Sequence, residues 1–219
     1  MITSGVDGAK QGWVYALVEK RRIVELSVIN KFRFLGYPTL VDIPIGLPDE
    51  GERICDRLAR KMLSKRASCV FSVPCRDAVY QNTYEKALET NRRYQKKGFS
   101  IQFWNIVEKV REVDRFLRQK PTLTAFIRES HPELCFMSFA GRPLGSKHKR
   151  EGIAERLKIL SAYLENMDVI KQCRRDVPID DVLDALILAI SLQFPLKTIP
   201  ETPPKDRFGL PMEIVLPLV

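Results

Sequence analysis

The chain has 219 residues, 45% of them hydrophobic, with 36 Lys and Arg against 27 Asp and Glu for a formal charge of +9. That length allows one large domain or two small ones, and ample apolar content with both signs of charge intermixed excludes a disordered chain. The positive balance favours acidic partners, nucleic acid first among them, while no apolar run reaches the ~20 residues needed to span a bilayer.

In chain order, ITSGVD is a short apolar strand ending in Asp7, GAKQG is a turn, and WVYALVE is apolar on both faces like a central strand. IVELSVI alternates, with Val24, Leu26 and Val28 on one face and Glu25 and Ser27 on the other, which completes an antiparallel meander. TLVDIP is a fourth strand ending at Asp42. Helical spacing follows in ERICDRLARKMLSK, in the polar TYEKALETNRRYQKK and along IQFWNIVEKVREVDRFL, where Phe103, Ile106, Val110, Val113 and Leu117 form one stripe. LTAFIRE is a fifth strand, with Leu123, Ala125, Ile127 and Glu129 on one side. GIAERLKILSAYL is a helix, IDDVLDALILAISL is the last long one, and six prolines beyond Phe194 predict an extended tail. The expectation is a single α/β domain over residues 1–219, with a basic helical insertion at about 74–120 and a Pro-rich tail at about 195–219.

Five widely spaced cysteines, with no CxxC pair among them, speak against a disulfide framework or a structural zinc site. The N-terminus lacks a basic region followed by an apolar core, so a soluble cytoplasmic protein with no membrane partner is expected.

The last helix poses the functional question. From Val182 onward it is apolar on nearly every side, yet it opens with Asp180, Asp181 and Asp184. A carboxylate is rarely buried unless it is paired, hydrogen-bonded or metal-bound. Asp180 reads as the N-cap and Asp181 as a partner of the helix dipole. Asp184 sits a full turn in among Leu183, Ala185 and Leu186, on the same face as Asp181. Asp7, Asp42 and Glu129 each end a strand, and ligands of open α/β sheets gather outside the carboxyl ends of the strands. Acids converging there need protonation or counter-cations, and hard oxygen donors suit Mg²⁺ or Mn²⁺.

Three antiparallel strands with Asp on the first, an acid at the end of the fourth and a late helix reading DxxDAL resemble the ribonuclease H-like superfamily. DVLDALILAI is similar to the last helix of Holliday-junction resolvases. GVDGAKQGW, VDIPIGLP, RICDRLAR, VFSVPCR, ESHPELCF and DDVLDAL together resemble a widespread uncharacterised family of predicted RNase H-like nucleases, the domain of unknown function 429 type. The resemblance covers residues 5 to 190. It implies an RNase H-like mixed five-stranded sheet, three antiparallel strands and then parallel ones, flanked by helices. It also implies metal-dependent hydrolysis of phosphodiester bonds in nucleic acid, with two Mg²⁺ or Mn²⁺ ions per site. Asp7 would bridge the ions, Asp42 and Asp184 or Asp181 would complete their shells, and Glu129 and Glu133 fall in the family's ExHPE phrase. The link NKFRFLGY is too short for the first helix usual in that fold.

Other residues admit two readings. His131 is either a hydrogen-bonded structural residue or a proton-transfer helper. Arg53, Arg57 and Arg60 either pair with Asp56 on their own helix, or neutralise the acidic cluster or grip phosphates, the structural reading being favoured for Arg60 and phosphate for Arg53. Lys147 and Lys149 are either a solvated basic loop or phosphate contacts. RRYQKKGFSIQFW either packs its aromatics in a core or stacks them on a strand of nucleic acid. Beside a nuclease, a binding module that keeps the fold without catalysis fits the same residues. A sugar-kinase or actin-like ATPase fits less well, since GAKQG lacks the Ser or Thr expected at a phosphate contact.

Overall fold

The computed structural model describes residues 1–173 and 177–219. In chain order it contains β1 (Ile2–Ala9), β2 (Gly12–Glu19), β3 (Arg22–Ile29), β4 (Thr39–Val41), α1 (Ile54–Leu63), α2 (Arg76–Val79), α3 (Tyr84–Gln95), α4 (Ile101–Asn105) and α5 (Val107–Gln119). These are followed by β5 (Ile127–Glu129), α6 (Pro132–Ala140), α7 (Arg150–Tyr163), α8 (Val169–Cys173), α9 (Ile179–Ser191), β6 (Leu196–Ile199) and β7 (Ile214–Pro217). The chain divides into two compact units. One joins Met1–Asp42, Phe126–Lys197 and Val215–Val219, and the other joins Ile43–Ala125 and Thr198–Ile214.

The first unit is built on a five-stranded sheet in the order β3-β2-β1-β4-β5. β1 pairs antiparallel with β2 and β2 with β3, while β1–β4 and β4–β5 are parallel. The RNase H-like α/β sheet expected from the sequence is the sheet observed. β2 is an interior strand, buried from Trp13 to Val18, as its unbroken apolar run requires. β3 is an edge strand with a register shift opposite Leu17 and Val18. That bulge falls at Val24, which interrupts the expected alternation and leaves Val24 exposed, and Val28 is exposed further along the same edge strand.

The apolar helix α9 lies across β1, β2 and β4, with every residue from Val182 to Ile190 buried. Contact this close depends on Gly5: a Cβ there would stand 1.9 Å from the Ala185 carbonyl oxygen and 2.5 Å from the Ala189 nitrogen. α9 starts at Ile179 with Pro178 at its cap position, so Asp180 lies in the first turn rather than at the N-cap. β5 is shorter than expected, because residues 121–125 form a 3₁₀ turn before it. Pro132 ends β5 and also opens α6 at its first turn, where a missing N–H costs nothing. The His131 side chain caps that helix and Gly141 closes it at φ 68°.

In the second unit, the stripe expected to run as one helix through 101–117 is broken at Ile106 (φ −105°, ψ 1°) into α4 and α5. Phe103, Val110, Val113 and Leu117 are buried all the same. The core of this unit holds an ion network. Arg76 is 2.8 Å from Asp114 and also pairs with Asp206, which accepts from Leu47 N–H at 3.1 Å. Asp206 thus ties the Pro-rich segment into the unit.

Gly5→Ala is expected to destabilise the protein by about 3 kcal/mol or more, as overpacking against backbone does at its upper end. A urea-unfolding midpoint equal to that of the parent would contradict the close β1–α9 approach.

Candidate functional site

Sheet register decides which acids meet. Val6 pairs with Val41 and Val41 with Glu129, and Asp42 N–H donates to Val6 O at 2.9 Å. Side chains alternate along a strand, so Gly5, Asp7, Leu40 and Asp42 share the face under α9. Val6, Val41 and Glu129 share the other face. The expectation that Glu129 joins Asp7 and Asp42 is therefore corrected: it is one residue out of phase, and such an offset puts a side chain on the opposite side of a sheet. Glu133, delivered by α6, is the glutamate whose charge acts on Asp42 and Asp184.

Asp7 is 7% exposed and Asp184 2% exposed, while Asp42 and Asp181 keep partial access to solvent. Burial, followed by the charges of Asp42 and Asp184, holds the Asp7 carboxyl well above its ordinary value. Burial likewise raises Asp42, against the pull of His131 and Lys147. Burial lifts Asp184 to about 6 although Lys147 opposes it. Burial and the neighbouring Asp180 lift Asp181 to about 6. These groups feel one another because they share one acidic pocket.

A cation already sits in that pocket. Lys147 Nζ is 2.5 Å from Asp184 Oδ2 and 3.8 Å from Asp180 Oδ2. Burial works against the charge on Lys147, but Asp184, Asp7 and Asp42 together hold its ammonium well above the usual lysine value. Asp184 Oδ1 is buried without a hydrogen-bond partner. The loop carrying Lys147 is fixed from α7. A Cβ on Gly152 would stand 2.1 Å from the Ser146 carbonyl oxygen. Arg156, fully buried, donates to Gly145 O at 3.2 Å, Gly152 O at 2.9 Å and Glu133 Oε1 at 2.6 Å. One guanidinium therefore joins α6, α7 and the Lys147 loop. Among the described residues, no group of three or more His, Cys, Asp or Glu is arranged to hold a metal ion. The acids stand around an ammonium.

His131 Nδ1 accepts from Glu133 N–H at 3.2 Å, which leaves Nε2 as the protonated nitrogen of the neutral ring. Arg53, expected to reach phosphate, is 1% exposed. Its guanidinium is 3.2 Å from Asp56 and bonds Cys55 Sγ and the carbonyls of Ile45 and Gly46. Arg57 is exposed on α1 and Lys149 is exposed at the start of α7. The partnership of Lys147 with Asp184 spans 37 residues, and no local spacing in the sequence announces it.

A family model described as Protein of unknown function (DUF429) matches residues 5–198. The chain belongs to that family. The family span takes in Asp7, Asp42, Lys147, Asp181 and Asp184, so the whole acidic pocket falls inside it. Searches of curated proteins and of solved structures found nothing that matches. Among the described residues no helix is long and apolar enough to cross a membrane.

Two outcomes follow from these electrostatics. Asp181 and Asp184 keep their protons to about pH 6 in the fold but only to about pH 4 in an unfolded chain. The folded state therefore binds more protons in that window, and the metal-free protein should lose stability as pH rises from about 4 to about 6. Lys147→Met removes the cation and should cost about 3 kcal/mol at neutral pH, as breaking a buried pair does. That deficit should shrink below about pH 6 as the acids take up protons. Unfolding midpoints across the pH range check both, and a deficit independent of pH would contradict the pairing.

Proposed function

We propose that the chain is a divalent-cation-dependent nuclease of the ribonuclease H-like type, hydrolysing phosphodiester bonds of nucleic acid. The observation that carries this reading is the convergence of Asp7, Asp42 and Asp184 in one buried pocket, where desolvation and mutual repulsion leave carboxylates in need of cations. Asp184 Oδ1, buried and unpartnered, fits a further cation contact, and an all-carboxylate donor set suits Mg²⁺ or Mn²⁺. As they stand around the Lys147 ammonium these acids form no metal-binding group; Asp7, Asp42 and Asp184, with Asp181 beside them, would hold such ions once that ammonium gives way. Bound there, the ions supply activation of a water and stabilisation of the leaving oxygen.

The chain's own residues do the rest. The carboxylates fix where the reacting phosphate lies. Lys147, tethered to Asp184, offers an ammonium to a phosphate oxygen, while Arg156 and Gly152 hold its loop in place. His131, beside Asp42, can donate a hydrogen bond from Nε2–H to an oxygen of the reacting phosphate. The net charge of +9 favours a polyanionic substrate.

The Lys147–Asp184 contact at 2.5 Å also favours a second reading, in which the ammonium permanently takes the cation's place and the chain binds nucleic acid without cutting it. Metal binding separates the two. Mn²⁺ at a hundredfold excess over its Kd stabilises a protein that binds one ion by about 2.7 kcal/mol. That shift is expected here, with cleavage of an oligonucleotide, and Asp7→Asn and Asp184→Asn should abolish both while raising metal-free stability. A melting temperature indifferent to Mn²⁺, with cleavage absent, selects the binding module.

A further inference from the structure

The second unit contains a groove that the acidic pocket does not use. It encloses about 840 Å³ between α1, α3 and the segment entering α4, a volume within the roughly 300–1,000 Å³ range of small-molecule sites. Its walls combine three cations, Arg60, Arg92 and Lys97, with three rings, Phe71, Tyr84 and Phe99, and no acidic side chain lines it.

The cations differ in how they are employed. Lys97 Nζ is held, donating to Ser72 Oγ at 2.7 Å and standing 3.3 Å from Glu52. The guanidiniums of Arg60 and Arg92 form no ion pair with any described residue. Two guanidiniums facing one concavity without a counter-charge repel each other and favour an anion between them. The rings are held in place by contacts with one another and with the core. Tyr84 and Phe99 meet edge to face at 5.5 Å, Tyr84 OH donates to Phe99 O at 2.7 Å, and Phe71 meets Phe103 edge to face at 5.9 Å. An acidic peptide would use the charge but leave the aromatic wall without a partner. A planar ring carrying a phosphate uses both.

We propose that this groove binds a nucleotide unit, its phosphate on Arg60 and Arg92 and its base against the Phe71–Tyr84–Phe99 wall. The combination is that of single-strand binding sites, where cations track the backbone and aromatic faces take the bases. The same chemistry accommodates a free mononucleotide or one residue of a strand. The site belongs to the second unit alone and does not depend on the acidic pocket being catalytic.

Trp104 stands behind the wall and reports on it through two of its rings, with its ring centroid 6.0 Å from Tyr84 and 6.5 Å from Phe99. Full-length protein in EDTA, which removes any contribution of divalent ions, is titrated with adenosine monophosphate, with a short single-stranded oligonucleotide and with inorganic phosphate. Saturable quenching of Trp104 by the first two is expected, and none by phosphate at equal concentration. A strand that binds much more tightly than the mononucleotide identifies the occupant as part of a polymer, and equal affinities identify a free nucleotide. Arg60 is half-buried and Arg92 exposed, so Arg60→Ala/Arg92→Ala should fold normally, with Arg92→Ala alone as the milder variant. The double variant should weaken binding by roughly tenfold or more per arginine. On a strand, its log–log salt slope should be shallower by about 1.4, from two charges at roughly 0.7 each. No saturable quenching, equal quenching by phosphate, or unchanged affinity in the variants would overturn the proposal.

Discussion

Burial of like charges under α9 is the constraint around which the first unit is arranged. Asp7, Asp42 and Asp184 occupy a region from which water is largely removed, and there mutual repulsion is far stronger than in solvent. Lys147 answers it. Its ammonium contacts Asp184 and is held in its charged form by Asp7 and Asp42 as well. The lysine arrives on a loop that reaches this depth because Gly152 lets Ser146 lie against α7 and because Arg156 binds Gly145 and Glu133 together. An ammonium on a flexible stem neutralises acids without fixing their geometry as a coordinated ion does.

The sheet delivers the acids by register and the helix by proximity. A one-residue offset separates Asp42, on the face under α9, from Glu129 on the opposite face. Gly5 permits an approach of α9 to β1 that any side chain would block, and that approach brings Asp184 over Asp7. Ile43–Ala125, the larger part of the second unit, is the connection between β4 and β5. Parallel neighbours need a crossover that leaves the sheet in any case, so a long excursion there leaves the β1–β4–β5 register intact.

Much of this was legible beforehand because it is local. Period-two alternation and apolar runs marked the strands, and Asp7, Asp42 and the DxxD spacing of Asp181 and Asp184 on α9 marked four of the acids. Glu129 misled because it also ends a strand, and sequence gives a strand's end without its phase relative to a neighbour. α6 was hidden because Pro132 carries two meanings, strand breaker and first-turn helix residue, and both hold here. Arg53 looked like a ligand-binding cation because exposure cannot be read from a charged residue on an amphipathic helix. Only the packed unit places its guanidinium against Cys55 and Asp56.

The sequence by itself determined the five strands of the mixed sheet, most of the long helices and the family, and marked Asp7, Asp42, Asp181 and Asp184 as candidates, since each follows from side-chain period or from motifs read within a few residues. Tertiary structure alone decided that Lys147 is the cation in the pocket, that Glu133 replaces Glu129 beside it, and that Arg60, Arg92 and three rings share a groove. Those outcomes rest on contacts between residues far apart in the chain, where the deciding quantity is which side chain reaches a dry, charged space, and neither composition nor spacing carries that distance.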